Sequence, residues 1–313
     1  MDNHNNIMFS VIIPVFNKEK HVKSAIESVL NQENDNYEMI LIDDCSTDES
    51  AKIIDSYKNN KIRTFKRHEP GLGGYAARNL GVSKARYPWI AFLDADDFWY
   101  KNHLHHAEKL IMKYPHIESF NFSREKIERG KKTRFVHLKE GVISSEDAIA
   151  QYSRKDVFHT NSVVISKSLF ERTGGFPAGK CCRGGDGDLW LRMLLSCKSI
   201  VVSQEITSCY VIDNSGVIYG KGKVGERHPI YNTVIGYLKK NPASSMAEDL
   251  KRLANRKNIS WALARKRSHE FSLRQLRIIF ISCLGINDWL KIVQLLSPLP
   301  IIRLMLFFRK KAS

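Results

Sequence analysis

Two hydrophobic periods alternate along the first hundred residues. FSVIIPV (9–15), YEMILID (37–43), IRTF (62–65) and WIAFLD (89–94) are short, mainly apolar runs of strand length. Between them, Val22, Ile26, Val29 and Leu30 recur at helical spacing, SAKIIDSYKN follows Asp48, and a third helical stretch covers Gly74 to Ala85. Strand and helix therefore alternate through four strands. Continuous apolar strands are buried on both faces, so the order predicts an α/β fold: a Rossmann-like, mainly parallel sheet with helices on both faces.

From 117 to 220 the pattern is mixed. SVVIS (162–166), SIVVS (199–203) and TSCYVI (207–212) read as strands, and KSLFERTGG and DLWLRMLLSC as helices. Beyond 221 the reading is helical and basic, which divides the chain into a domain over 1–220 and a helical region over 221–313. There is no internal repeat and no low-complexity tract. The most apolar stretch, 289–308, contains Lys291, Gln294 and Arg303 and is broken by Pro298 and Pro300. It is expected to lie in a membrane interface rather than to span one.

Charge narrows the partners. The 313 residues carry a net +16, and from Met246 onward fourteen Lys and Arg stand against four Asp and Glu. Such an excess calls for nucleic acid, anionic lipid or a phosphorylated substrate. A nucleic-acid binder is disfavoured, because no zinc-finger spacing and no aromatic and basic alternation along a strand is present. The six cysteines show no paired metal spacing, and MDNHNNIMFS lacks the basic and apolar regions of a signal peptide. A reduced, cytoplasmic protein is expected, with Cys181 and Cys182 as ordinary loop thiols.

Acidic clusters end two of the strands. Asp43 and Asp44 close the second, and Asp94, Asp96 and Asp97 follow the fourth. In a parallel sheet both clusters fall on the carboxyl rim, where ligands bind. Three adjacent carboxylates repel one another unless a cation stands among them, and hard Mg2+ or Mn2+ ions take oxygen ligands and share their shells with phosphates. The alternative for DADD is that Asp97 caps a helix starting at FWYKNHLHHAEKL. Gly71, Gly73 and Gly74 permit close backbone approach to a ligand, and Arg78 on the following helix can meet a phosphate or an acidic neighbour. Residues 71–76 fit GxGxxA, but they do not follow the first strand as a dinucleotide loop does. Asp186, between a glycine-rich loop and a helix, is either an N-cap or a general base. His103 and His106 of HLHH share a helix face with no third ligand evident, and are expected to be solvated.

Taken in order, VIIPVFNKE, LIDDCSTDES, AARNLG, FLDADD, and GGF with GGDGDLWLR resemble the family 2 glycosyltransferases of the GT-A fold, over about residues 8 to 215. The resemblance implies a metal-dependent, inverting, single-addition transferase of the bacterial surface-polysaccharide type. It would use a nucleotide-sugar donor, UDP-linked, and a saccharide or lipid-linked acceptor. Carried over by position, Pro14, Phe16, Asp43 and Asp44 border the nucleotide base, and Arg78 and Asn79 lie near the nucleotide-sugar. Asp94 addresses the nucleotide, Asp96 and Asp97 address Mn2+ or Mg2+, a division of tasks the sequence leaves open, and Asp186 is the base. The family commonly has Glu before this Asp; here it is Gly185. That departure leaves a catalytically inactive nucleotide-sugar binder or membrane scaffold as the alternative. The basic tail suggests peripheral attachment to an anionic membrane surface on the cytoplasmic side, or packing on the catalytic domain. No nucleic-acid partner is expected.

Overall fold

In the computed structural model, residues 6–137, 139–212 and 225–297 are described. Contacts divide them into two compact units. The first holds 6–137, 139–148 and 157–212, and the second holds 149–156 and 225–297.

The elements run β1 (Phe9–Val15), α1 (Val22–Leu30), β2 (Tyr37–Asp43), α2 (Ser50–Ser56), β3 (Ile62–Lys66), α3 (Tyr75–Lys84) and β4 (Trp89–Phe92). These are the seven elements that hydrophobic period alone predicts. Next come β5 (Phe98–Trp99), α4 (His103–Lys113), β6 (Ser119–Glu128), β7 (Lys131–Phe135), β8 (Gly141–Ser144), α5 (Ser145–Arg154), β9 (Val163–Ser166), α6 (Lys167–Arg172), α7 (Gly185–Leu194) and β10 (Ser199–Ile212). Three helices follow: α8 (Ile230–Lys240), α9 (Ala247–Arg267) and α10 (Ile286–Leu296).

One sheet runs through the first unit in the order β3-β2-β1-β4-β9-β6-β10-β5, with β7 on β6 and β8 on β10. β3, β2, β1 and β4 pair in parallel, as do β6 and β10. The remaining strands enter antiparallel. The chain leaves β1 toward β2 and β3, then returns to the other side of β1 as β4. That reversal opens a crevice at the carboxyl ends of β1 and β4, the place where open α/β sheets bind ligands.

Alternate residues of β1 serve opposite faces. Val11, Ile13 and Val15 are buried with Val22, Ile26 and Val29 of α1 and with Leu104 and Ile111 of α4. On the other side of the sheet, Phe92 meets Phe170 and Phe176 at ring-centroid distances of 5.8 and 5.3 Å, and Phe176 meets Trp190 at 6.2 Å. Each such aliphatic or aromatic side chain contributes about 1.5–3 kcal/mol of burial. The two layers thus hold the strand ends rigid beneath the crevice.

SIVVS and TSCYVI, read from sequence as two strands, are one strand, β10. Its register against β6 shifts between Ser203 and Ile206 and again between Ile206 and Ser208. The polar Gln204 and Glu205 sit at this bulge, which is why the hydrophobic pattern breaks there.

In the second unit, residues 149–156 are tied to α9 by charge. The Arg256 guanidinium donates to the Tyr152 and Ser153 carbonyls at 2.6 and 3.1 Å, and Lys257 and Arg256 reach Asp156 at 2.6 and 2.9 Å. Burial opposes ionisation of Asp156, but these two cations hold its pKa down at about 2. Ile259, Ala262 and Leu263 of α9 pack with Ile292 and Leu295 of α10.

Candidate active site

The register carries both acid clusters to one rim. Val15 pairs with Asp43, Asp44 N–H donates to the Val15 carbonyl at 2.8 Å, and Leu93 N–H donates to the Ile12 carbonyl at 3.1 Å, so β1, β2 and β4 end together. Pro14 is half-buried at this edge, and Phe16, immediately beyond it, is 41% exposed. The loops after β1 and β2 are cross-linked. Asn17 N–H donates to Ser46 Oγ at 3.1 Å, Thr47 N–H to Asn17 Oδ1 at 2.8 Å, and Lys18 N–H to Ser50 Oγ at 2.7 Å. Asp43 Oδ1 accepts from Ser46 N–H at 3.1 Å. Asp44 Oδ1 accepts from Arg67 and, at 3.1 Å, from Gly71 N–H, which pins the glycine loop to the end of β2.

The loop after β4 hangs on Asn161, a residue that sequence reasoning did not single out. Asn161 is buried. Its Oδ1 accepts from Asp94 N–H at 2.9 Å, its amide donates to Asp97 Oδ2, and its carbonyl accepts from Trp99 Nε1 at 2.8 Å. Asp97, expected as a metal ligand, is 2% exposed, and its other oxygen accepts from Val211 N–H at 2.7 Å. Burial, then the charges of Asp94 and Asp96, push its pKa well above the ordinary carboxylate range. The helix-cap alternative for Asp97 is overturned. Phe98 and Trp99 pair with Cys209 and Ser208 as β5, and α4 begins only at His103.

Asp94 and Asp96 each meet a cation of the chain itself. Arg78 Nη2 lies 2.5 Å from Asp94 Oδ1, and Lys18 Nζ lies 2.5 Å from Asp96 Oδ2. Burial alone would raise the Asp94 pKa; Arg78, with His159 and Lys18, holds it below the ordinary value. Arg78 also sits over the Phe176 ring at 5.4 Å. Asp96 is the open member of the group, with 32% of its side chain exposed, and among the described residues Lys18 is its recorded partner. No cluster of three or more His, Cys, Asp or Glu able to hold a metal occurs among the described residues. Asp96 thus presents a single open carboxylate, the kind of oxygen donor that a hard cation sharing its shell with phosphate oxygens can take.

The segment from GGF to GGDGDLWLR folds onto the same guanidinium through Phe176. Asp186 lies in the first turn of α7, and its charge is felt by both Arg78 and Tyr75. It is not the N-cap: Gly184, at φ 72°, precedes the helix, and Gly185 N–H donates to the Tyr75 hydroxyl at 2.9 Å. Gly185 has no room for a side chain. A Cβ there would stand 2.7 Å from Pro177 Cγ and 2.8 Å from Tyr75 Cε2. Gly73, at φ 73°, is likewise required, since a Cβ would lie 2.3 Å from the Cys182 carbonyl. Asn79 does not reach into the crevice: its amide donates to the Phe176 carbonyl and its Oδ1 accepts from Phe176 N–H, both at 2.9 Å, which anchors the GGF segment.

The solvated reading of HLHH fails. The His103 ring is fully buried, stacked on Trp99 at 4.0 Å with Nδ1 2.8 Å from Thr207 Oγ1, and His106 Nε2 lies 2.8 Å from Ser203 Oγ. Both rings face β10 because the strand presents hydroxyls there. Cys181 and Cys182 are partly buried and outside any disulfide, and burial, with Asp188 and Cys182 nearby, pushes the Cys181 thiol up to about 11, which keeps it protonated.

Comparison with known proteins decides the family. The pattern of Glycosyl transferase family 2 matches residues 10–174, more than half of the chain. The chain belongs to glycosyl transferase family 2. Among its relatives in this family, an uncharacterized glycosyltransferase of Rickettsia felis is 42% identical over 133 residues, 41% of this chain and 21% of that protein. The chain spans about a fifth of the length of the Rickettsia relatives it matches. The putative teichuronic acid biosynthesis glycosyltransferase TuaG of Bacillus subtilis is 27% identical over 222 residues, 70% of this chain and 85% of that one. In fold, the chain resembles TarS of S. aureus, solved with UDP-GlcNAc, with a TM-score of 0.69 at 20% identity over 87% of this chain and 78% of that chain. A mannosyltransferase of Pyrobaculum calidifontis, solved with GDP-Man and Mn2+, gives 0.57 at 15% identity over 86% of this chain and 77% of that chain. These likenesses establish the GT-A fold.

Proposed function

We propose that this family 2 glycosyltransferase moves one sugar from a UDP-linked donor to a saccharide or lipid-linked acceptor in surface-polysaccharide assembly, with inversion at the anomeric carbon. The observation that carries this reading is the position of Arg78, which pairs with Asp94 at 2.5 Å and lies over the Phe176 ring of the GGF segment at 5.4 Å. One guanidinium thus joins the carboxylate rim proposed for the nucleoside diphosphate to the segment that leads into α7, whose first turn carries the proposed base Asp186. Relatives support the substrate classes: TuaG is named for teichuronic acid biosynthesis, and TarS is a poly(ribitol-phosphate) N-acetylglucosaminyltransferase solved with UDP-GlcNAc.

In this reading Pro14 and the exposed Phe16 ring form the apolar ledge for the base. Asp43 and Asp44 shape the base-side rim through Ser46, Arg67 and Gly71. Asp94 addresses the donor's ribose, Asp96 is the ligand of Mn2+ or Mg2+, and Asp97 braces the loop that carries them. A divalent ion bound there would neutralise the charge gathering on the departing diphosphate. With Asp96 so engaged, the Lys18 ammonium would be released to the diphosphate, and Arg78 would add a second positive charge near the same developing charge. Asp186 takes the proton of the acceptor hydroxyl as its oxygen forms the new bond to the anomeric carbon. The bond from that carbon to the diphosphate breaks, and its electron pair stays with the nucleoside diphosphate. An acceptor carried on lipid would present its hydroxyl at an anionic membrane surface, in keeping with the basic C-terminal region.

The test is Asp186→Asn. Transfer should fall by about 10²–10⁴-fold while the affinity for UDP stays as in the wild type. Transfer that survives the substitution would remove Asp186 from this role.

A further inference from the structure

Seven of the thirteen exposed large hydrophobic residues lie between Leu273 and Leu296, among the described residues. Five belong to α10: Ile286 (78% exposed), Trp289 (48%), Leu290 (63%), Val293 (54%) and Leu296 (58%). At 100° per residue they fall within an arc of about 120°. Ile292 and Leu295, on the neighbouring arc, are the residues α10 uses to pack on α9. The helix is therefore apolar well beyond the face its own unit covers. A stripe of this size on a soluble surface costs free energy unless something apolar meets it.

Charge selects what meets it. Arg274 and Arg277 are exposed in the turn Leu273–Ile278 upstream of α10, while on the helix itself Lys291 lies away from the stripe and is matched by Asp288. Sixteen residues, 298–313, follow outside the described structure and add Arg303, Arg309, Lys310 and Lys311 with no acidic residue. A second copy of the chain would bring two net-basic C-terminal regions together, and if the apolar run 298–308 instead covered the stripe, removing it would strengthen vesicle binding rather than weaken it. A surface of lipid phosphates instead pairs with the cations while its acyl boundary receives Trp289, Leu290 and Val293. α10 has eleven residues, about 16 Å of helix, against a hydrocarbon core of about 30 Å. It can lie in a membrane interface but not cross it.

We infer that the α10 stripe is an interfacial membrane seat, with Ile286, Trp289, Leu290, Val293 and Leu296 entering the headgroup boundary of an anionic bilayer. The seat is independent of the donor-site reading, because binding is read with no sugar nucleotide present. Co-flotation of the full chain with phosphatidylcholine vesicles, with and without phosphatidylglycerol, tests it. Binding should require phosphatidylglycerol and weaken with salt. Trp289→Ser combined with Leu290→Ser and Val293→Ser should weaken it by about tenfold or more, with the thermal melt unchanged because these side chains are already exposed. A chain lacking 298–313 should bind more weakly than the full chain and still respond to the triple substitution. Indifference to phosphatidylglycerol, wild-type binding by the triple variant, or a dimer that the triple variant abolishes while vesicles are ignored would each overturn the seat.

Discussion

Lys18 Nζ lies 2.5 Å from Asp96 Oδ2, with the lysine side chain only 9% exposed. The acid proposed to accept a divalent cation thus already holds a monovalent one. A metal must displace the ammonium before it binds, so the free site should be weak for metal, and a diphosphate that accepts the displaced charge should strengthen it. Lys18→Met removes the competitor. Mn2+ affinity in the absence of nucleotide, read by electron paramagnetic resonance, should rise about tenfold, equivalent to about 1.4 kcal/mol. An unchanged affinity would mean that the pair does not gate the metal.

Asn161 is the second lever. Alanine there leaves the Asp94 amide and an oxygen of the buried Asp97 without partners. Each orphaned group costs about 1–3 kcal/mol, so Asn161→Ala should lose about 2–5 kcal/mol in urea unfolding. A loss below 1 kcal/mol, by the same scale, would show that the loop finds other partners.

Gly185 and Tyr75 are coupled by contact. Gly185→Ala should destabilise the chain by about 1–3 kcal/mol, because its Cβ enters the space of the Tyr75 ring and Pro177. With Tyr75→Ala as background the penalty should shrink, giving a coupling of about 1 kcal/mol or more in a double-mutant cycle. Strict additivity would contradict the packing account of why this chain has glycine before Asp186.

The buried His103 gives stability a pH dependence. Burial, then His106, lowers its pKa to about 3, against about 6.5 in the unfolded chain. The folded state therefore holds the ring neutral, and the unfolded state binds one more proton between those values. Stability is complete above pH 6.5 and falls as the pH drops toward 3, by about 1.4 kcal/mol per pH unit from this residue. His103→Gln should reduce that slope by the same amount in denaturant titrations across the window. Equal slopes would show that His103 titrates alike in both states.

Much of the first half was legible because its strands are buried on both faces and its helices on one. Each period is then written in the residues themselves, as in VIIPV and in Val22, Ile26 and Val29. The carboxyl-rim position of Asp43, Asp44 and Asp94 followed from parallel order alone. The second half was harder. Lys131–Phe135 is fully exposed as β7, so no hydrophobic alternation announces it, and β10 is broken by a polar bulge. Asn161, Lys18 and Tyr75 were missed because these partners lie 62 to 110 residues away, and a lone Asn, Lys or Tyr carries no periodic signal. The cap readings of Asp97 and Asp186 failed for a related reason. A short strand and a left-handed glycine took the positions where local propensity placed an acidic cap.

Calorimetric titration of UDP into the full chain, with Mn2+ and then with a chelator, tests the donor site most directly. The account predicts that UDP affinity falls at least about tenfold on chelation, and that Asp96→Asn produces the same loss with Mn2+ present. Tight binding of UDP that ignores both the chelator and Asp96→Asn would contradict it.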